Sequence, residues 1–172
     1  FFEASAEAIA VRYLPDVVGV DADGSGSVTT GDLEAGTLTT VEVSDAELFV
    51  GLSGVVGFEM SGGSFAAAYV TAGSAAPADT RGYLAFDASV AFGGFAGIPG
   101  ITAEVSDFSV QANRAFGDDG AGASATEINW APAVDLDGDG AVADPVEAGG
   151  TTIGLESAIL EARGTVALSV YN

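Results

Sequence analysis

The residues best suited to chemistry in this chain are oxygen-bearing side chains gathered in a short stretch that begins at Asp21. Counting Asp21 as position 1, Asp23 and Ser25 stand at positions 3 and 5, and Asp32 stands at position 12. Ser27, at position 7, offers its backbone carbonyl. Calcium takes six to eight oxygen ligands at about 2.3–2.6 Å, and this spacing supplies them. The sequence therefore predicts a calcium loop over residues 21–32.

Three further residues fit the same loop. Gly26 at position 6 permits a sharp turn, Val28 at position 8 can anchor the loop in a core, and Thr29 at position 9 adds a hydroxyl. Because Gly, Ser and Asp are also common in ordinary turns, a solvated β-turn is the alternative interpretation.

A second acidic stretch, residues 135–147, begins in the same way but ends differently. Its candidate ligands at positions 1, 3, 5 and 7 are Asp135, Asp137, Asp139 and the backbone carbonyl of Ala141. Position 12 is Val146, so the closing carboxylate is either Asp144 or Glu147. Carboxylates this close repel one another unless a cation lies between them. We therefore expect two calcium ions, one in each loop.

Both stretches resemble EF-hand loops, and the first also resembles the calcium loop of dockerins, whose final acid is likewise Asp. The resemblance ends with the loops. EF-hands and dockerins are helical around their loops, whereas the strand-like residues 17–20 and 129–134 precede the two loops here. The sequence thus predicts calcium loops set between strands.

The elements that position these loops all have the composition of strands. Alternating β-branched and aromatic segments of five to eight residues, such as TLTTVEV, SFAAAYV and FSVQA, are separated by Ser-Gly, Gly-Gly or Ser-Asp steps. The Ser-Asp steps at 44–45 and 106–107 shift the apolar pattern by one residue, which predicts a bulge or a corner. We expect an all-β fold, an elongated repeat-built β-sandwich, with a β-solenoid-like stack as the alternative.

The chain also resembles itself. Residues 3–12 resemble 104–113, residues 17–36 resemble 132–150, and residues 40–58 resemble 152–168, in the same order. This predicts a first repeat unit at 1–100 and a second, incomplete unit at 101–172, with a counterpart of residues 61–100 expected after Asn172. The alternative is an old duplication within one closed domain.

Composition limits the possible functions. The 172 residues carry 25 acidic and four basic side chains, a net charge of −21, and no His or Cys. This charge argues against nucleic acid or an anionic membrane as partner, although an acidic chain is also typical of salt-loving organisms. Without His, Cys or Lys, we do not expect an enzyme. The longest uncharged run, 60–78, is interrupted by Gly, Ser and Pro, so no membrane span is expected.

The first residue is Phe, so we expect that a leader has been removed or that the chain is a fragment of a longer one. Without disulfides, metal ions are the available cross-link, which is compatible with an extracellular location.

The repeat and the two DxDGxG loops, together with the alternating strands and Gly-Pro-Gly turn of residues 81–114, are similar to the tandem repeats of giant bacterial adhesin-like calcium-binding surface proteins. The RTX nonapeptide is not present. The resemblance implies a calcium-dependent structural repeat of an extracellular, adhesive or filament-forming protein. The excess of small apolar residues predicts that its partners are copies of itself or adjacent repeats. A secreted module that binds surface glycans or proteins is the alternative.

Overall fold

The predicted all-β class is confirmed. A computed structural model describes residues 2–52 and 55–171, and none of these residues is helical, so no helix among them could cross a membrane. The strands are β1 (Phe2–Ser5), β2 (Ala8–Val20), β3 (Leu33–Leu52), β4 (Val56–Ala72), β5 (Gly82–Ala96), β6 (Ile101–Phe116), β7 (Val134–Asp135), β8 (Glu147–Ala148), β9 (Thr151–Thr152) and β10 (Ile159–Val170).

Eight of these strands form one antiparallel sheet: seven lie in the order β10-β6-β5-β4-β3-β2-β7, and β1 is the eighth. β1 pairs with the distal end of β3, and β8 pairs with β9 in a separate two-stranded sheet. From β2 to β6, each strand lies beside the next one in the chain. Because consecutive strands pair antiparallel, the molecule is a meander and not the solenoid-like stack that the sequence left open.

The six long strands, β2–β6 and β10, have 12 to 20 residues, more than the five to eight that the sequence predicts. β3 has 20 residues and β6 has 16, and each continues through a Ser-Asp step that separates two of the predicted strand segments. Asp45 and Asp107 adopt left-handed backbone conformations, with φ of 45° and 52°. Pairing shifts by one residue at both places, between Val43 and Ala46 and opposite Gly164. The predicted bulges are confirmed, and each strand continues beyond its bulge.

The core lies between the sheet and a covering layer formed by residues 117–158, which includes β8 and β9 and joins the edge of the sheet through β7. On the covered face, Thr40, Ala68, Ala85 and Asn113 form one transverse row across four strands, and all four are buried. Such small side chains leave room for the covering layer, whose Trp130 is fully buried in the same core. This two-layered half is consistent with the predicted sandwich.

Asn113 connects the two layers through a buried hydrogen-bond network. Its side-chain amide donates to the carbonyls of Ile128 and Ser157, at 2.8 and 3.1 Å, and its side-chain oxygen accepts from the indole of Trp130 at 3.1 Å. All three partners lie in the covering layer. A buried polar group costs stability unless it is paired, so this network specifies where the layer docks.

The two predicted repeat units contribute to a single sheet, since β5 and β6 pair along almost their whole lengths across the boundary at residue 100. The similar blocks occupy comparable positions. Residues 3–12 and 104–113 lie in β1–β2 and β6, and each group is followed by an acidic loop and by a strand that pairs antiparallel with it. The repeat itself stays a prediction.

Replacing Asn113 with alanine should destabilise the protein by about 2–4 kcal/mol, because the Trp130 indole, the buried Ile128 carbonyl and the partly buried Ser157 carbonyl lose their partner. Urea unfolding followed by the fluorescence of the single tryptophan measures this loss. The matched control is Gln111→Ala on the same strand, which removes a half-buried hydrogen bond to Asp87 and should cost less than about 1 kcal/mol. Equal losses in the two variants would contradict this role for Asn113.

Candidate metal centre

The first loop draws its carboxylates together. Oxygen atoms of Asp21, Asp23 and Asp32 lie within 4.8 Å of one another, and Asp21 and Asp32 are buried. Backbone amides hold both buried carboxylates in place. The Asp21 carboxylate accepts hydrogen bonds from the backbone amides of Gly24 and Gly26 at 2.8 and 2.7 Å. The Asp32 carboxylate accepts from the backbone amides of Ala22 and Thr29. Gly26 has φ of 91°, as its position in the predicted turn requires.

The second loop repeats this arrangement. Oxygen atoms of Asp135, Asp137 and Asp144 lie within 4.8 Å of one another, with Asp135 buried. Asp135 accepts from Gly138 and Gly140 at 2.7 and 2.9 Å, in the same pattern as Asp21. Two acidic clusters of the described residues could therefore hold a metal ion.

The remaining predicted residues are placed around these clusters. Ser25 donates to the Ser27 carbonyl at 3.0 Å, and Asp139 accepts from the Ala141 amide at 2.7 Å, outside the second carboxylate cluster. Of the two candidates for the closing acid, Asp144 joins the cluster. Glu147 lies in β8 and accepts from the Thr152 hydroxyl instead.

The two loops lie side by side. Their position 7 residues, Ser27 and Ala141, form an antiparallel bridge, and the Val28 amide donates to the Gly140 carbonyl at 3.2 Å. The strands that enter the loops also pair, with Val20 opposite Val134. The first loop connects two strands of the sheet and the second belongs to the covering layer, so the paired loops join the two layers.

Gly19, which sequence reasoning missed, permits this close approach. A Cβ atom at Gly19 would lie 2.7 Å from a methyl group of Val28 and 3.4 Å from Cβ of Asp135. A distance of 2.7 Å is too short for two carbon atoms, so a larger residue would displace the Val28 side chain, whereas 3.4 Å to Asp135 is an ordinary contact. The only sequence signal is a glycine within a run of valines in a buried strand.

Arg81 is a second residue that the sequence did not reveal. Its guanidinium donates to the backbone carbonyls of Gly31 and Asp32 at 2.8 and 2.9 Å, and therefore holds the closing end of the first loop. Asp79 pairs with the same guanidinium at 2.7 Å, and both side chains are nearly buried. Fifty residues separate Arg81 from Gly31, so no local pattern could have indicated this contact.

Two carboxylates at this site have perturbed acidities. Burial by itself would raise the pKa of Asp21, but hydrogen bonds from the amides of Gly26, Ser25 and Gly24 outweigh it and lower that pKa. Burial likewise opposes ionisation of Asp79, and hydrogen bonds from Arg81 again outweigh it, so the pKa of Asp79 is lowered. Both groups are held as carboxylates, the form that binds a cation or an arginine.

Comparison with known proteins identifies no relative. No protein-family model matches the chain, and neither a curated protein nor a solved structure matches it. The function of the chain is therefore inferred from the geometry of its loops and its sheet.

Lowering the pH should remove the contribution of the Asp79–Arg81 pair to stability. Since the pKa of Asp79 is lower in the folded protein, its contribution is present above the unfolded pKa of about 3.9 and disappears as pH falls through the folded value. We expect Asp79→Asn to cost about 1–3 kcal/mol at pH 7 in metal-free buffer, and less at about pH 3, below the unfolded pKa. Urea unfolding at both pH values measures the difference.

A double-mutant cycle with Arg81→Gln serves as the control for this prediction. The coupling between the two substitutions should be smaller at about pH 3 than at pH 7. A cost for Asp79→Asn that does not change with pH would contradict the prediction.

Proposed function

We propose that this chain is a calcium-stabilised structural segment of an extracellular surface, adhesive or filament-forming protein, which binds two calcium ions. The observation that carries the proposal is the paired arrangement of two carboxylate clusters at the junction of the sheet and its covering layer. In the first cluster the ligands would be Asp21, Asp23 and Asp32, and in the second they would be Asp135, Asp137 and Asp144.

The donor set favours calcium over other metals. The described clusters offer carboxylate oxygens, and the chain has no His or Cys to supply the nitrogen and sulfur ligands that zinc or copper prefers. Magnesium demands near-ideal octahedral geometry and keeps several waters, whereas calcium accepts six to eight irregularly placed oxygens. A loop that combines carboxylates with a backbone carbonyl at position 7 suits the larger ion.

Cation binding at these loops would stabilise the contact between the two layers. Without a cation, three neighbouring carboxylates in each loop repel one another, next to a bridge that joins sheet and layer. An ion that binds only the folded state stabilises it by about 2.7 kcal/mol when its free concentration is about 100 times the Kd. Two such sites contribute a large part of the stability of an ordinary domain.

A structural role accounts for the location of these acids. The clustered aspartates are held by backbone amides within their own loops, and the one buried arginine of the described residues holds the end of a loop. In a chain without disulfides, such sites would replace covalent cross-links. Extracellular calcium concentrations suit loops of modest affinity, which supports a location outside the cell.

Calorimetric titration with calcium should detect two sites per chain, and saturating calcium should raise the free energy of unfolding by about 5 kcal/mol. Asp23→Asn and Asp137→Asn should each weaken one site at least tenfold. The amide oxygen that each introduces can still accept the turn hydrogen bond from Ser25 or Asp139. The matched control, Asp118→Asn, changes the same charge in a similar turn, where Asp118 accepts from Gly120 at 2.8 Å, and should leave both sites intact.

The same titration with magnesium separates a calcium site from a general cation site. We expect at least tenfold weaker binding of magnesium. The proposal fails if calcium neither binds nor changes the unfolding transition, or if Asp118→Asn reduces binding as much as Asp23→Asn does.

A further inference from the structure

The sheet has one face that the covering layer leaves bare. The pairing register assigns side chains to this face, because paired residues of neighbouring strands point to the same side and alternate along each strand. One transverse row on the bare face consists of Val11, Val41, Ala67, Phe86, Ala112 and Leu160. Every residue of this row is apolar.

The same face remains apolar beyond the bulges. β10 has no residue in the left-handed conformation, so its side chains alternate regularly between the two faces. Leu160, Val166 and Leu168 are separated by even numbers of residues and therefore point to the same face. The row across Leu168 consists of Phe2, Val50, Phe58, Phe95 and Ala103, again all apolar. The extra residues at Asp45 and Asp107 thus keep the apolar residues of their strands on the bare face along the whole sheet.

Exposure of large apolar side chains is concentrated on this face. Of the 17 strongly exposed large apolar residues, all but Val55 and Tyr171 lie on it by register: Phe2, Ile9, Val11, Tyr13, Val50, Leu52, Tyr69, Phe95, Ile101, Phe108, Phe116, Leu160, Val166, Leu168 and Val170. Val166 is 73% exposed and Leu160 is 68% exposed. Monomeric soluble proteins rarely expose apolar patches of more than a few hundred Å².

Charge is almost absent from the same face. At the regularly paired positions of the described strands, Arg114 is its one charged residue, although the chain carries 25 acidic side chains. Acidic residues such as Glu42, Glu59 and Asp87 lie at register positions on the opposite face. Two copies that met through their bare faces would therefore keep these carboxylates on the outside.

We propose that the bare face binds the bare face of a second copy of this chain, forming a symmetric dimer in which two sheets pack together. Six strands spaced about 4.8 Å apart give a width of about 29 Å, and the 12 residues of β10 give a length of about 40 Å. The resulting area, about 1,100 Å² per copy, exceeds the roughly 800 Å² per partner of a standard stable interface. Sheet-on-sheet packing at about 10 Å is an established way to bury such faces.

A second copy fits this face better than a charged or sugar-like partner does. A basic protein would find no carboxylates there, and a glycan would find few hydrogen-bonding side chains among rows of Val, Leu and Phe. An apolar face on one copy is chemically complementary to the same face on another, as a two-fold interface requires. The inference rests on the structural role proposed above, and it names the surface through which copies would associate.

Sedimentation velocity of the full chain at about 0.15 M salt, with calcium and with a chelator, tests the dimer. The wild type should sediment as a dimer, and Val166→Glu should weaken the dimer at least tenfold, because it places a charge in the apolar interface. Thr165→Glu is the matched control: it adds the same charge at the adjacent residue, whose side chain points to the opposite face, and it should change the dimer less than twofold. Leu160→Glu, in the other half of the sheet, should repeat the effect of Val166→Glu.

Circular dichroism and calcium titration of the same samples separate the possible failures. A monomeric wild type that still binds calcium would overturn the bare-face dimer and leave the calcium proposal standing. A dimer that binds no calcium would overturn the calcium proposal and leave the bare-face dimer standing. Equal weakening by Thr165→Glu and Val166→Glu, with both variants folded, would overturn the assignment of the interface to this face.

Discussion

Backbone pairing between two acidic loops is the contact on which the rest of the molecule depends. The bridge between Ser27 and Ala141, and the pairing of Val20 with Val134, fasten the covering layer to the sheet at the place where the carboxylates are densest. Attraction through hydrogen bonds and repulsion between charges therefore act on the same few residues. Amide donors offset part of the repulsion, as the lowered pKa of Asp21 indicates, and a bound cation would offset the rest.

Local patterns predicted local structure well. The spacing of Asp21 to Asp32 indicated a loop whose carboxylates converge, and the phase shift at Ser44-Asp45 and Ser106-Asp107 indicated bulges, because both signals reside in adjacent residues. Strand length was predicted wrongly, since a bulge and a turn have the same short polar composition. Arg81 contacts a loop 50 residues away in the chain, and Gly19 packs against side chains of both acidic loops, so local sequence patterns could not reveal either role.

The two faces of the sheet differ in what covers them. Thr40, Ala68 and Ala85 lie under the covering layer, while Val41, Ala67 and Phe86 in the neighbouring row point the other way. The small residues allow the core to form around Trp130 on one side. Large apolar residues on the other side add little to a single chain, because burial stabilises only when both surfaces leave water. One face of the sheet is therefore buried within the single chain, whereas the apolar residues of the other face stay exposed to water.

The order of strands also determines how the chain can assemble. From β2 to β6 every strand pairs with its neighbour in sequence, so the meander can grow hairpin by hairpin with short loop closures. β10 pairs with β6 across the long connection formed by residues 117–158. Closure of this long connection, which contains the second acidic loop, would be the slowest event in folding. Calcium would then act on the folding rate as well as on the finished structure.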